Sequence, residues 1–477
     1  MSELPKNWTI TKVQDIGDAV TGNTPSTKQK ENYGDHIPFV KPPNLLNSVI
    51  ANTKENLSQV GMEKGRVAPE NSILVSCIGN LGKIGINKSP VAFNQQINAI
   101  LPHAEINPSF VFYQTQSAYF RSQLEEYSSA TTISIINKGN FEKLNFRLAP
   151  YNEQKRIVAK IEALFSELDK GIESLKTVRE QLKIYRQAVL KHAFEGKLTA
   201  DWREDNKDKL ETAEELLANI SSERFKKLEE PAADELKKLP SLPKSWKYAR
   251  LGYFIENIGA GKSFKCDERE PKQDEVGVAK VSAVTWGEYD ESESKTCTNP
   301  EKVNSSYFIE PDDFLFSRAN TIELVGACVI AKKVTKSIML SDKTLRIKFE
   351  DINPYYFLYY LRAQAGRNEI MKRSTGNQDS MRNIGQERIK NIVVPICSTE
   401  ETEQIQKEIQ FRFSIIDNFE EIIDSELQKT EALRQSILKQ AFSGKLVAQD
   451  PSDEPASVLL ERIKAEKDGN KKKRNAA

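Results

Sequence analysis

Little in this sequence lends itself to redox, metal or nucleophile chemistry. Its 477 residues hold five cysteines and three histidines. Cys77, Cys266, Cys297, Cys328 and Cys397 never fall within four residues of one another, and His36, His103 and His192 are scattered. Neither a disulfide framework nor a zinc module has support in that spacing. No apolar run approaches the roughly 20 residues that span a bilayer, and the opening MSELPKNWTI lacks the charged-then-apolar pattern of a secretory leader. The expectation is a cytoplasmic protein without a membrane partner. Net charge is only +1, so the wholesale basic character of a nucleic-acid coat protein is missing and any DNA contact has to be local. The one dense basic run, Lys471 to Arg474, sits in a polar tail and reads as a solvated chain end.

What is present is enough apolar material for several cores: 38% hydrophobic residues, with 21 Phe and 14 Tyr. A chain this long predicts more than one domain. The segment RQAVLKHAFEGKLTA, Arg186 to Ala200, returns 248 residues later as RQSILKQAFSGKLVA, Arg434 to Ala448, with ten of fifteen positions identical. The correspondence extends upstream: Pro5-Lys6-Asn7-Trp8 matches Pro243-Lys244-Ser245-Trp246, Lys41 matches Lys280 and Pro150 matches Pro395. The chain is one unit written twice. Each copy has a divergent domain of about 150 residues followed by a closely repeated helical segment. Such a pattern suits helices that meet one kind of partner and domains that meet different targets.

Between Asn152 and Phe194 the apolar residues follow two seven-residue series: Ile161, Leu168, Leu175, Leu182, Val189, and Ile157, Leu164, Val178, Tyr185, with Gly171 breaking the second. This spacing predicts a coiled-coil seam, started after Pro150 and stopped at Gly196. The second helix opens on the capping-box pattern Ser398-Thr399-Glu400-Glu401, holds Ile405, Ile409, Ile416, Phe419, Ile423, Leu433 and Ile437 in register, and stops at Gly444. Arg412, Glu426 and Thr430 interrupt its seam. Short β-rich runs with turn residues between them, such as Ser72 to Ser76 and Asp313 to Ser317, precede helical patches near Phe110 to Leu124 and Tyr355 to Ile370. The fold class is α+β: two α/β domains and two long helices in an internal repeat. The boundaries read as 1–150 (first domain), 151–200 (first helical region), 201–240 (linker), 241–397 (second domain), 398–446 (second helical region) and 447–477 (polar basic tail).

No catalytic constellation is found. Gly259-Ala260-Gly261-Lys262-Ser263 imitates the end of a phosphate-binding loop, but Glu256 stands where the first glycine belongs, and the counterpart Thr21-Gly22-Asn23-Thr24-Pro25 has no lysine. Lys41-Pro42-Pro43-Asn44 is not the motif with which amino-methyltransferases hold a flipped base, and Asp312-Asp313 has no Glu-x-Lys partner at nuclease spacing. What recurs at matched places is polar or basic: Lys41 and Lys280 after apolar runs, Lys83 in the loop after a central strand, Arg318 and Asn320 after its counterpart, and Asn94-Gln95-Gln96 against Ser341-Asp342-Lys343. Amides can pair two-pronged with adenine, and Arg or Lys with guanine. Lys41, Lys83, Gln95, Lys280, Arg318, Asn320 and Lys343 are therefore candidate DNA-binding residues. Thr131, Thr132, Lys138, Arg382 and Gln386, in the polar stretches before the helices, are candidates for phosphate contact.

These residues together resemble the specificity subunits of type I restriction-modification enzymes over nearly the whole chain. The resemblance rests on Arg186-Gln187-Ala188-Val189-Leu190 running into Gly196 to Arg203, its second copy through Gly444-Lys445-Leu446, Pro150-Tyr151-Asn152-Glu153-Gln154 at a helix start, and the Pro-x-x-Trp openings at Trp8 and Trp246. In the second copy the Glu-Gln pair is spread into Glu400 to Gln404, and Ala448-Gln449-Asp450 lacks the following Trp-Arg. The resemblance implies two target-recognition domains, each reading half of a split double-stranded DNA site, and helices paired as an antiparallel coiled-coil spacer. It also implies two docked methyltransferase subunits, with motor-nuclease subunits in the full complex. On that reading the chain is not an enzyme and carries no cofactor. S-adenosylmethionine, ATP and magnesium belong to the partner subunits. The alternative is a coiled-coil scaffold or adaptor without sequence-specific DNA binding.

Overall fold

The structure is a computed structural model; it describes residues 4–51, 53–129, 133–219, 228–350, 352–378 and 381–476. The chain forms two compact units, one of Met1–Lys176 with Ile423–Ala477 and one of Thr177–Ile422. Each of the two long helices, Tyr151–Phe194 and Thr399–Ala441, therefore gives part of its length to each unit.

In the first unit a five-stranded sheet runs in the order Gly17–Thr21, Ile97–Pro102, Ile73–Ser76, Ile84–Ile86, Ser48–Val49. Its middle strand reads ILVS and is buried along its whole length, which is why it shows no hydrophobic alternation. A four-stranded sheet orders Asn56–Leu57, Tyr33–Val40, Val91–Phe93 and Val67–Ala68. Helices Pro108–Thr115 and Ala118–Glu126 start where the Asn107 and Ser117 side chains accept from the N–H groups of Phe110 and Phe120. Phe110 meets Trp8, Phe146 and Phe442 edge on, the last at 5.3 Å between ring centroids.

The second unit repeats the plan. Ile255–Ala260, Thr344–Phe349, Phe314–Ser317 and Cys328–Ile330 make a four-stranded sheet in that order. Helices Pro354–Arg362 and Gln364–Arg373 follow. Phe194 packs edge on against Tyr356 and Tyr360. Both buried hydroxyls are satisfied, donating to the Pro395 and Val393 carbonyls at 2.8 and 2.7 Å, as burial of a tyrosine requires.

Inside each unit the helix portions pair antiparallel through matched contacts. Arg186 reaches Asp417 at 2.6 Å and lies over the Phe413 ring at 4.6 Å. In the other unit Arg434 pairs with Asp169 and lies over Phe165 at 4.7 Å. All three residues are shifted by the same 248 positions as the sequence repeat. The helices stop at Gly196 and Gly444, both at φ +71°. An added Cβ there would fall 2.4 Å from the Pro243 ring and 2.2 Å from the Pro5 ring. The left-handed turn and this close approach both demand glycine.

At the seam the structure keeps the ends of the sequence reading and revises its middle. Ile157, Ile161, Val189, Ile405, Ile409, Ile416 and Ile423 are buried, but Val178, Tyr185, Phe419 and Leu433 are exposed. An α-helix drifts about 20° per heptad against a strict seven-residue repeat, so such a series leaves the contact face over several turns. The stretches read as linker and polar tail are partly core. Helices Ala213–Asn219 and Ala456–Ala476 bury Ala213 and Leu216, and Ala456, Leu459 and Ile463. Their first N–H groups donate at 2.9 Å to the carbonyls of Ser245 and Asn7. The side chains of Lys471 to Arg474 lie outside the described residues.

One matched pair has opposite electrostatics. Glu401 is buried and accepts from Thr199 Oγ1, Arg203 Nε and Trp246 Nε1 at 2.7, 2.8 and 2.9 Å. Its equivalent Glu153 is also buried, but its partner is the neutral amide of Gln449 at 2.6 Å, and burial pushes its carboxyl above the ordinary value. A carboxyl raised on folding contributes stability below its ordinary value of about 4.3 and loses it as pH rises through the folded value. Glu153→Gln should therefore gain on the wild type in thermal melting as pH goes from mildly acid to neutral. Glu401→Ala, which strands a largely buried guanidinium, should cost about 3–5 kcal/mol in denaturant unfolding.

Candidate nucleic-acid interface

In both units one frame of backbone hydrogen bonds carries the residues singled out from sequence. In the first, Val40 pairs parallel with Phe93 and the Asn94 N–H donates to the Val40 carbonyl at 3.1 Å, setting Lys41 beside the Asn94–Gln96 turn. In the second, Val278 pairs parallel with Met339 two residues before Lys280 and Ser341, and the Lys280 N–H donates to the Glu293 carbonyl at 3.0 Å.

The glycines that imitate a phosphate loop serve this frame. A Cβ on Gly22 would stand 2.3 Å from the carbonyl oxygens of Phe93 and Asn94, and one on Gly261 would stand 1.8 Å from that of Leu340. Backbone presses on backbone, and only glycine fits. The next polar side chains then bridge to the turn: Thr24 Oγ1 donates to Gln95 at 2.5 Å, and the Ser263 hydroxyl donates to Asp342.

The central hairpins match as well. The Cys77 N–H donates to Gln96 O at 2.8 Å, and the Cys77 carbonyl accepts from Ile136 at 2.9 Å. In the other unit the Arg318 N–H donates to Lys343 O at 2.9 Å, and its carbonyl accepts from Ile384 at 2.9 Å. A buried thiol in one unit thus occupies the place of a half-buried guanidinium in the other. The fold brings Arg318, Asn320, Lys343 and Arg382 together, since Asn320 and Arg382 are also cross-strand partners.

The candidates differ in how free they are. Asn320 has both ends of its amide engaged in its own turn, donating to Ser317 Oγ at 3.3 Å and accepting from Thr321 N at 2.9 Å. Lys41 holds Glu55 at 2.6 Å with both side chains substantially exposed, a pair worth at most about 1 kcal/mol and readily exchanged for another anion. Gln95 is exposed. Lys138 and Gln386 are the first residues of short helices, Lys138–Glu142 and Gln386–Lys390, while Arg382 lies in the strand Met381–Asn383. Lys138 pairs loosely with Glu142 at 3.5 Å. Thr131 and Thr132 lie outside the described residues.

Lys83 lines a cavity of about 470 Å³ together with Asn47, Asn80, Leu81 and Arg121. The Arg121 Nε is buried without a hydrogen-bond partner among the described residues. Sequence reading passed over Arg121 because it lies on a helix far along the chain and only the fold brings it to Lys83. No group of His, Cys, Asp and Glu among the described residues is placed to hold a metal ion, and no described helix is long and apolar enough to cross a membrane.

Residues 5–177 match a family model described as the type I restriction modification DNA specificity domain. The EcoKI specificity subunit of Escherichia coli (strain K12) is 26% identical over 98% of this chain and 96% of its own length. The HindI specificity subunit of Haemophilus influenzae is 34% identical over 172 residues, 34% of this chain and 37% of that one. A chain solved in work on complex assembly and conformational transition of the type I R-M system shares the fold with a TM-score of 0.65. It is 18% identical and covers 93% of this chain and 100% of its own.

If the glycine frame is as tight as its contacts imply, Gly22→Ala and Gly261→Ala should each cost about 1–3 kcal/mol, the usual penalty of overpacking. Gly287→Ala, whose nearest neighbouring atom would be 3.9 Å away, should be close to neutral in the same denaturant titration.

Proposed function

The chain belongs to the family of type I restriction-modification specificity subunits, and from that premise we propose that each of its units reads one half of a split double-stranded DNA site. The observation that carries this reading is the frame just described. Two domains share several backbone hydrogen bonds at matched positions and differ in the side chains those positions carry. Arg318 stands where Cys77 does, and Ser341-Asp342-Lys343 where Asn94-Gln95-Gln96 does. Like scaffolds with unlike rims suit two unlike half-sites.

In this reading Lys41, Lys83, Gln95 and Lys138 serve one half-site, and Lys280, Arg318, Asn320, Lys343 and Arg382 the other. Arg and Lys supply phosphate and guanine contacts, and Gln95 an amide for a base edge. The chain supplies recognition and no chemistry. Methyl transfer and cleavage, with S-adenosylmethionine, ATP and magnesium, belong to methyltransferase and motor-nuclease subunits, and the work is cytoplasmic.

The test is binding to a duplex carrying the methylated motif mapped in the host. Alanine at Lys280, Arg318 and Lys343 should relax or lose only one half-site, a base-reading loss costing about 1–3 kcal/mol. The salt dependence of binding should flatten by about one unit for each phosphate contact removed. Unchanged affinity and salt slope in the triple variant would sink the assignment.

The long helices are the proposed docking surface for the methyltransferase subunits and the element that sets the unread spacer, since the chain passes between the units only through them. The repeated ends at 186–200 and 434–448 favour two docking sites. The flanking faces are unequal, however. Phe411, Ile415, Phe419 and Ile422 form an exposed stripe on one helical face, 64, 42, 50 and 48% exposed. Ala163, Glu167, Gly171 and Ser174 stand 248 positions earlier. An exposed stripe of this kind marks an interface, so the two sites should differ in affinity. Phe411→Glu with Ile415→Glu should turn a complex with two methyltransferase chains into one with a single chain, read by native mass. Two chains still bound at equal concentration would refute the stripe's role.

A further inference from the structure

Three of the five cysteines, Cys77, Cys328 and Cys397, are buried, whereas Cys266 and Cys297 are partly exposed, and all five are thiols in the structure. The last two are brought face to face by strand register in the second unit. The Asp267 N–H donates to the Thr296 carbonyl at 3.0 Å, and the Thr296 N–H donates back to the Asp267 carbonyl at 3.0 Å. That exchange defines a hydrogen-bonded antiparallel pair. One step outward on both segments sets Cys266 opposite Cys297 at a non-hydrogen-bonded position. The Cys297 N–H agrees with this, turning the other way to the Val276 carbonyl at 2.8 Å. One step inward, Glu268 and Lys295 are the matching pair, and their side chains meet at 2.6 Å. Residues two apart on a strand share a face, so this ion pair reports side chains converging on the face that carries both thiols.

Directly opposed non-hydrogen-bonded residues have Cα atoms about 4.5 Å apart, their side chains on one face. A disulfide needs a Cα separation of about 4.4–6.8 Å, and the spacing usual for such a position falls inside that range. Burial pushes the Cys266 thiol up, with the neighbouring Cys297 adding to the effect and Lys295 opposing it.

We propose that Cys266 and Cys297 form a reversible disulfide site that responds to hydroperoxide. The thiolate of either cysteine attacks a peroxide oxygen, breaking the O–O bond and giving a sulfenic acid and water. The second thiol then attacks that sulfur, forming the S–S bond and releasing a second water. Two thiols and one hydrogen peroxide become one disulfide and two waters, the peroxide taking both electrons. The bond ties the segment carrying exposed Lys262 and Lys265 to the strand Ser294–Thr296. That strand pairs with Gly277–Ala279, which leads into Lys280. Oxidation thus restrains one side of the proposed DNA-reading rim. This consequence rests on the DNA reading, whereas formation of the bond does not.

The test uses the full chain, reduced, desalted and treated with hydrogen peroxide under native conditions, then alkylated and digested without reductant. The expected product is a peptide joined through Cys266 and Cys297, dominant over every other cysteine pair and returned to two thiols by dithiothreitol. The oxidised chain should melt several degrees above the reduced one, and Cys266→Ser and Cys297→Ser should each abolish that shift. Independent alkylation of both thiols after peroxide, or cross-links only between chains, would overturn the site. A disulfide that forms while the salt dependence and affinity of DNA binding stay unchanged would keep the site and overturn its effect on recognition.

Discussion

The antiparallel pairing of the two long helices inside each unit is the constraint on which the rest of the molecule depends. The first unit is not a continuous stretch of chain: it needs Met1–Lys176 and Ile423–Ala477, so segments from both ends of the sequence build one core. Arg434 on Asp169 and Phe165 fixes the helix register there, and Gly444 lets the Pro5 ring close in. Arg186, Asp417, Phe413, Gly196 and Pro243 do the same in the other unit. A charge-assisted, ring-stacked arginine allows little sliding. Each domain consequently inherits its placement within its unit from the helix pair, through Phe110 on Phe442 and Phe194 on Tyr356 and Tyr360.

The repeat is reciprocal rather than tandem, and this explains where the copies tolerate difference. At the matched buried glutamates one unit uses an ion pair with Arg203 and the other a neutral amide, Gln449. The Trp-Arg missing after Ala448-Gln449-Asp450 is therefore a change of electrostatic solution at one joint. The unit without that arginine carries another ion pair, Arg156 with buried Asp453 at 2.6 Å.

Much of this was legible in the sequence because repetition needs no energy function to detect: ten identities in fifteen residues mark the helix ends, and those ends make matched contacts. The two-domain α+β plan followed from short buried runs such as ILVS at 73–76. Three things were hidden. The exposed middle of the seam was hidden because periodicity records spacing, not which turn finds a partner. The docking of Leu216, Leu459 and Ile463 was hidden because a few apolar residues among charges read as solvated chain. Neighbours such as Arg121 and Lys83, which line one cavity, or Asp267 and Thr296, which exchange backbone hydrogen bonds, were hidden because they exist only in the fold. The recurrence of polar and basic residues at matched places was legible in the sequence. Their individual freedom was not, as the engaged amide of Asn320 illustrates.

How one frame can carry two unlike rims follows from what holds the frame. Its joints are N–H to carbonyl bonds, Cys77 to Gln96 or Arg318 to Lys343, and glycines at 22 and 261 where backbones touch. Neither kind of joint uses a side chain. A thiol can therefore stand where an arginine does without altering the hydrogen bonds on either side. Substitution at the exposed turn positions Gln95 and Asp342 is cheap in stability. The frame is held by backbone atoms, so the side chains of the same residues can change while the frame stays fixed.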